Sequence, residues 1–334
     1  MPTVRQARAL QAVGLLGGAA FAAMVGWLGG DTPPGYVIWA LPFAVAFAGG
    51  VVALRARGVN LAARRLLAFG AVGLVWIAGN LALVTAYDAH GEGGWLVAAN
   101  LLHQTVGLLL LAAIVALLVV YPDGVYQRRA DARLVQGLVT ASVLVPLLLL
   151  IASAQIHPVW ILDWAAEEGT VRPLEGLESP LHVGALAWLQ PPLAGFMEAA
   201  LALVPLMGCL VAVRRYRQFD PERRLQMKWP MAGAIPLALA PLIDALVAAG
   251  AIPLPLGDAD EIVALVVFPC AITIGLVRPQ LFDIEGVVRR AAAYGALLLV
   301  VAGVYVGIAA ALGVALGGEN LQVAAAMAIV ATLL

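Results

Sequence analysis

Charged residues and cysteine are both scarce in this chain. Of its 334 residues only 12% are charged, against about 25% in a typical soluble domain. The two cysteines, Cys209 and Cys270, each lie within an apolar run, which excludes a disulfide scaffold and a thiolate zinc site. The net charge of −1 lacks the basic excess of a nucleic-acid-binding protein. No nucleic-acid partner is therefore expected.

Apolar residues make up 63% of the chain. A soluble fold of this size could not hide so much apolar surface, because its exterior needs a polar or mixed covering. That excludes an ordinary cytosolic enzyme, a disordered regulator and a collagen-like fibre. The composition predicts an all-α integral membrane protein in the cell membrane, with the lipid bilayer as its main partner.

Long apolar runs give the number of membrane spans, since a helix needs about 20 mostly apolar residues to cross a bilayer. We expect a polytopic helical bundle of about nine spans plus a truncated tenth. The run near 9–29 is interpreted as a retained helix, because the Gly-Gly-Asp-Thr-Pro-Pro that follows is no signal-peptidase site. The other spans are predicted near 36–54, 66–87, 95–121, 134–154, 190–213, 229–250, 262–277, 291–316 and 321–334.

Positive charge alternates along the segments that join these spans. Every second segment is basic, and the segments between them are acidic, with Arg172 as their single cation. Because basic loops stay in the cytoplasm, the N-terminus is predicted to be cytoplasmic. The long segment 155–188 is then an extracytoplasmic loop, either an ordered interfacial cap or a loop that grips a ligand.

A layer of polar residues is predicted inside the membrane, where such groups are costly and often functional. Helical rise places the outer-half members about 9–12 Å below the outer ends of their spans. They are interpreted as lining an outward-opening sensing pocket, or alternatively as hydrogen bonds that join helices. The second interpretation is favoured for the amides and the first for the carboxylates, and His103 stays open between them. The candidate residues are Asn80, Asn100, His103, Gln104, Glu198 and Asp244.

Three cytoplasmic stretches form a second candidate site, a relay at the inner face. The first is the turn Tyr121-Pro122-Asp123-Gly124. The second is the basic loop Arg214-Arg215-Tyr216-Arg217 followed by a helix start at 220–229, where Asp220 is expected to cap the helix. The third, 278–290, precedes the ninth span and is expected to pack on the second; the alternative is that both only anchor the bundle to anionic lipid. The predicted relay residues are Asp123, Glu222, Arg223, Arg224, Lys228, Asp283 and Glu285.

In this order the three stretches resemble the multi-span N-terminal membrane region of actinobacterial-type sensor histidine kinases. That family has a Phe-Pro-Asp-Gly-Arg turn, an E-R-x-Q-L-K-W segment and an L-R-Y-R-L-Y-D-I-D-x-V-I-x-R-T-L-V-Y stretch. Here the matching segments are 121–124, 222–229 and 278–294, and the resemblance spans most of the second two-thirds of the chain. The chain departs from the pattern at Val125 and at 291–294, where Ala-Ala-Ala-Tyr replaces Thr-Leu-Val-Tyr.

The resemblance implies the input module of a two-component sensor histidine kinase, which receives an external or membrane-borne signal. It also implies a kinase part beyond this chain that binds ATP and Mg²⁺, a homodimer formed through that part, and a response regulator as partner. None of the four histidines suits phosphorylation, because His90, His157 and His182 are predicted in or near outer loops and His103 within a span. The chain itself is expected to be a fragment that holds no cofactor and no catalytic machinery.

Two other function classes are open to a chain of this kind. A secondary transporter would place polar residues along a midplane pathway with broken helices and internal repeats, whereas the polar residues here are predicted in the outer half only. An intramembrane enzyme would need a nucleophile and a base at one depth, and Ser142 and His103 fall in opposite halves. A transporter or orphan membrane protein is therefore the alternative to the sensor module.

Overall fold

A computed structural model of the protein describes most of the first 277 residues. By its internal contacts the chain divides after Pro279, and the description concerns the unit that ends there. The predicted ninth and tenth spans, the segment 278–290 with Asp283 and Glu285, and most of the 155–188 loop lie outside the described residues. The described ranges are 2–28, 34–57, 60–91, 93–156, 178–248 and 259–277.

Eight long helices account for almost all of the described residues, and these residues contain no β-strand. One isolated antiparallel bridge, between Gln155 and Glu178, closes the base of the long loop. A 3-10 turn at Gly184–Leu189 leads into the sixth helix. The helices are α1 Pro2–Leu28, α2 Pro34–Arg57, α3 Leu61–His90, α4 Trp95–Val120, α5 Arg129–Ala152, α6 Gln190–Gln218, α7 Pro221–Ala248 and α8 Ala259–Val277.

The apolar lengths of these helices agree with a polytopic membrane protein. By length and composition, α1 to α5 each contain a segment that could cross a bilayer. A sixth is added if the pair Gly184–Met197 and Ala202–Gln218, bent by 55°, is taken as one span. The apolar part of α8, Ile262–Val277, is shorter. The described part is thus an all-helical bundle with several membrane-length helices, as the composition predicts.

Two helix starts are fixed by side-chain caps, and the second of them is predicted from the sequence. Asn60 precedes α3, and its side-chain oxygen accepts the backbone N–H of Ala62 at 2.7 Å. Asp220 precedes α7, whose first residue is Pro221, and accepts the N–H of Arg223 at 2.9 Å. Each cap satisfies a donor that the first helical turn leaves without a partner. The predicted cap at Asp220 is confirmed.

Small residues let neighbouring helices approach closely, which is common in membrane bundles. A Cβ at Gly50 of α2 would lie 2.5 Å from the Cα of Leu67 in α3. A Cβ at Gly233 of α7 would lie 2.9 Å from the Cα of Phe268 in α8. The abundance of glycine in the predicted spans therefore has a packing reason at these two crossings.

Six of the helices form a closed ring in which each packs on the next. The order around the ring is α3, α2, α8, α7, α6, α4 and back to α3. α1 packs on α3 from one side, and α5 packs on α4. The buried core includes the beginning of α3 and the end of α4. The fully buried residues there are Leu66, Leu67, Leu117 and Leu118.

The ends of the helices that carry the arginines meet at one end of the bundle. Arg64 at the start of α3 donates to Gln6 of α1 at 2.8 Å. Asn60 before α3 donates to the carbonyl of Pro122 after α4, and Asp131 of α5 pairs with Arg214 of α6. We call this the basic end. The charge alternation along the sequence is thus matched by the packing of the helix ends, while the side of the membrane that the basic end faces stays a prediction.

Candidate functional site

Asn80 of α3 and His103 of α4 form a buried polar contact between two helices. Their side chains are only 2% and 7% exposed, and His103 Nδ1 lies 2.7 Å from Asn80 Oδ1. An amide oxygen can only accept, so with this amide orientation the proton is on Nδ1 of the ring and a neutral His103 keeps Nε2 as an acceptor. Two residues of the predicted polar layer are therefore brought together.

Trp76 of α3 fixes the position of the His103 ring. The two rings are stacked with centroids 5.3 Å apart and planes inclined by 24°. The indole Nε1 also donates to the His103 carbonyl at 3.4 Å, and Phe43 of α2 packs edge-on against the indole. The sequence interpretation missed Trp76. Its signal was the spacing of four residues before Asn80, which puts both on one helix face.

The amide of Asn80 has one polar atom without a hydrogen-bond partner among the described residues. That atom is Nδ2, which is buried. Exchanging the amide oxygen and nitrogen would let Nδ2 donate to the ring and leave the oxygen alone instead. In either orientation one buried atom lacks a bond, and such a group in a native fold calls for an explanation.

The other members of the predicted layer are only partly described. Asn100 and Gln104 are buried on α4, within one turn of His103. Glu198 lies on α6 and Asp244 on α7, but their side chains lie outside the described residues. The contact between α3 and α4 fits the interpretation of polar residues that join helices by hydrogen bonds, and the outward-opening pocket with its carboxylates stays a prediction.

The turn after α4 is joined to several helices at the basic end. The side chain of Tyr121 is fully buried, and its hydroxyl donates to the carbonyl of Gln226 in α7 at 3.3 Å. Gly275 of α8 faces the same hydroxyl, which fills the space that a Cβ would need there. Gly124 ends the turn with φ of 76°, a conformation that favours glycine.

Arg215 of α6 is a buried arginine that holds the same turn. Its side chain is fully buried and Nη2 donates to the Tyr121 carbonyl at 2.9 Å. The guanidinium also lies over the ring of Phe219, 5.2 Å from its centroid. The sequence interpretation treated Arg215 as one of several loop cations, and nothing local distinguishes it from Arg214 or Arg217.

Asp123 and Arg223 are the two predicted relay residues that the structure brings together. Arg223 Nη1 lies 3.6 Å from Asp123 Oδ2, and Arg223 Nε lies 3.8 Å from a carboxylate oxygen of Asp220. Half of the Arg223 side chain is exposed. Exposed pairs of this kind contribute about 0–1 kcal/mol each, so this contact can break and re-form at little cost.

The remaining relay residues have other surroundings or lie outside the described part. Arg224 donates to the carbonyl of Phe219 at 2.8 Å and its guanidinium lies 5.9 Å from the centroid of Tyr216. Lys228, the eighth residue of α7, is partly buried. The side chain of Glu222 lies outside the described residues.

A polar cavity opens where the turn, α7 and α8 meet. Its volume is about 410 Å³, within the range of small-molecule sites. Asp123 and Arg223 line it together with Leu276, the last residue but one of α8. It is lined by Asn60, Pro122, Asp123, Asp220, Arg223, Gln226, Gly275 and Leu276.

Two polar sites therefore lie on α4, one at each end. His103 is in its first half, and Tyr121 follows its last residue, about 27 Å farther along the helix axis. Any displacement of α4 along its axis would change both sites together. Searches with this chain against models of protein families, curated proteins and solved structures found no match.

Proposed function

We propose that this chain is the membrane-embedded input module of a two-component sensor histidine kinase. The observation that carries the proposal is the meeting of the first two family-like stretches at the basic end. The turn 121–124 contacts α7 within 222–229, and Leu276, two residues before the third stretch, lines the same cavity. Segments that are far apart in sequence thus converge at one place, as a relay requires.

α4 is the element that would carry the signal. At one end His103 is hydrogen-bonded to Asn80 of α3, and at the other the Tyr121 carbonyl accepts from Arg215 of α6. A stimulus that separates His103 from Asn80 would free α4 to move against α3. Because Tyr121 is bonded to α6 and α7, that movement would shift the ends of both helices. We infer that the polar layer receives the signal and the turn passes it on.

The output would leave through the stretch that follows α8. In this proposal Asp283 or Glu285 is able to pair with Arg223, Arg224 or Lys228, and pairing with Arg223 would replace its contact with Asp123. The Asp123–Arg223 pair is half-exposed and weak, which suits an exchange of partners. The full-length protein would then form a homodimer, bind ATP with Mg²⁺ and pass its phosphoryl group to a response regulator.

The proposal places the basic end in the cytoplasm. Supporting this, arginines are concentrated at that end, as is typical of the cytoplasmic side of a membrane protein. Tryptophans are exposed near the opposite ends of three helices, as expected where an aromatic ring meets the lipid headgroups. These are Trp27 at the end of α1, Trp95 at the start of α4 and Trp188 just before α6. These tryptophans mark the level of the second membrane interface, whereas the orientation itself rests on the arginines.

Autophosphorylation of the full-length gene product in lipid vesicles tests the proposal. The coding sequence beyond Leu334 should continue into a histidine-bearing dimerisation helix and an ATP-binding domain. Asp123→Asn should change the rate of autophosphorylation severalfold, while Asp88→Asn, which removes an exposed carboxylate at the opposite end of α3, should not. A reading frame without a kinase part would contradict the proposal and favour a transporter or an orphan membrane protein.

A further inference from the structure

The polar cavity at the basic end is lined by charges of both signs. Arg223 contributes a guanidinium group, and Asp123 and Asp220 contribute two carboxylates. Asp123 belongs to the turn after α4, whereas Asp220 and Arg223 stand at the start of α7. The volume of about 410 Å³ is near the lower end of the range for small-molecule sites. A ligand of this cavity is therefore small, and it meets both signs of charge.

The opposite charges in the cavity face each other without closing a hydrogen bond. Arg223 Nη1 is 3.6 Å from Asp123 Oδ2, and Arg223 Nε is 3.8 Å from Asp220 Oδ2, whereas charged groups that are hydrogen-bonded lie about 2.7–2.9 Å apart. The pair of Arg214 and Asp131 differs, because there the guanidinium is bonded directly to a buried carboxylate. The guanidinium of Arg223 and the carboxylate of Asp123 thus keep hydrogen-bonding capacity for a ligand.

The charged groups are held in place by bonds that a ligand would leave intact. The backbone N–H of Gly124 donates to the Val120 carbonyl at 2.8 Å, which fixes the turn that carries Asp123. The side chain of Asp220 accepts the backbone N–H of Arg223 and so caps α7. A site whose groups are already in position binds its ligand at a smaller cost in entropy.

We propose that this cavity binds a free α-amino acid. The ligand carboxylate pairs with the guanidinium of Arg223, whose planar fork of N–H donors suits a carboxylate, and the ligand ammonium pairs with Asp123. A ligand with only a negative charge would be repelled by the two aspartates, and a ligand with only a positive charge would be repelled by Arg223. A molecule that carries both charges satisfies each side. The proposal rests on the cavity alone, so it is independent of a kinase function.

Thermal unfolding of the 334-residue chain in neutral detergent tests the site, with the twenty standard amino acids added one at a time. At least one of them should raise the unfolding temperature in a saturable way, because a ligand that binds only the folded state stabilises it. Analogues of that amino acid without the amino group or without the carboxylate should each bind about tenfold more weakly, since each loses a hydrogen bond between charged groups. No saturable rise with any of the twenty would overturn the proposal.

Variants locate the binding in the cavity. Arg223→Gln and Asp123→Asn should each lower the affinity for that amino acid about tenfold, whereas Arg223→Lys keeps the charge and should retain part of it. Arg217→Gln is the matched control, because Arg217 is also an exposed arginine of the basic end but does not line the cavity. Its affinity should stay within about twofold of the parent chain.

Unfolding without the ligand separates lost binding from lost folding. The Asp123–Arg223 pair is partly exposed, so the variants at both positions should unfold near the temperature of the parent chain. An equal loss of affinity in Arg217→Gln would overturn the proposal. Undiminished binding of an analogue with only one of the two charges would overturn it too, because it would indicate a simple anion or cation site.

Discussion

The hydroxyl of Tyr121 fills the space that a side chain at Gly275 would occupy. This relationship joins the turn after α4 to α8, and the same hydroxyl is bonded to the carbonyl of Gln226 in α7. One phenol group therefore sets the distances among three helices at the basic end. The absence of a side chain at Gly275 is as much a part of this contact as the hydrogen bond is.

Gly275→Ala should destabilise the bundle, because the new methyl group meets both the Tyr121 hydroxyl and the Cβ of Trp229. Overpacking of this kind costs about 1–3 kcal/mol, measured as a loss of the free energy of unfolding in detergent. Gly79→Ala is the matched control, since a methyl group there meets nothing within 4 Å and should be neutral or slightly stabilising.

Removing the hydroxyl should rescue that substitution. Tyr121→Phe alone loses a weak hydrogen bond, but in the Gly275→Ala background it also removes the clash. The double variant should therefore be more stable than Gly275→Ala alone, which is the sign of direct coupling. Additive losses in the two variants would show that the two residues do not share this space.

The helix starts could be predicted from the sequence because their causes are local. Asp220 and Pro221 stand beside the donors they serve, and an apolar run of sufficient length indicates a membrane helix by itself. The meeting of the arginine-bearing helix ends also follows from the alternation of basic and acidic segments, because consecutive membrane helices run in opposite directions. These features need no knowledge of which helix packs on which.

The contacts of the two candidate sites could not be predicted in the same way. Asn80 and His103 were singled out as polar residues at similar depth, but depth does not tell which helices are neighbours in the ring. Trp76 and Arg215 were missed because the sequence does not distinguish them from their neighbours. Trp76 looks like any apolar residue of a membrane span, and Arg215 looks like any arginine of a basic loop. Only the packing of α4 against α3 and α6 gives them partners.

Asn80→Leu tests whether the buried pair is structural. The substitution leaves Nδ1–H of His103 without its acceptor, and an unpaired buried donor costs about 1–3 kcal/mol. Combining it with His103→Leu should recover most of that stability, because two apolar partners leave nothing unsatisfied. Thermal unfolding in detergent measures both effects.

The same two variants separate structure from signalling in the full-length protein. If the pair receives the signal, the double-leucine variant should be stable yet fail to respond. A stable double variant with a normal response would show that Asn80 and His103 only join α3 to α4.

Asp131→Asn and Asp123→Asn form a matched comparison of two ion pairs at the basic end. The Asp131 carboxylate is almost fully buried beside Arg214, whereas the Asp123 carboxylate is partly exposed beside a half-exposed Arg223. We expect Asp131→Asn to lower the free energy of unfolding by about 1–3 kcal/mol, less than for a fully buried pair because a third of Arg214 reaches solvent. Asp123→Asn should change it by less than about 1 kcal/mol. Equal effects would contradict the difference in burial.

The orientation of the bundle can be tested with two exposed apolar residues at its opposite ends. Val125 follows the turn at the basic end and Leu181 lies beside the closed base of the long loop, and both side chains are at least half exposed. The two native cysteines lie within α6 and α8, so Cys209→Ala and Cys270→Ala give a background without thiols. In intact cells a membrane-impermeant maleimide should label the Leu181→Cys variant and reach the Val125→Cys variant only after permeabilisation.

The reverse pattern would place the basic end outside, and with it the turn, the cavity and the proposed relay. Such a result would contradict a cytoplasmic output while leaving the helix packing untouched.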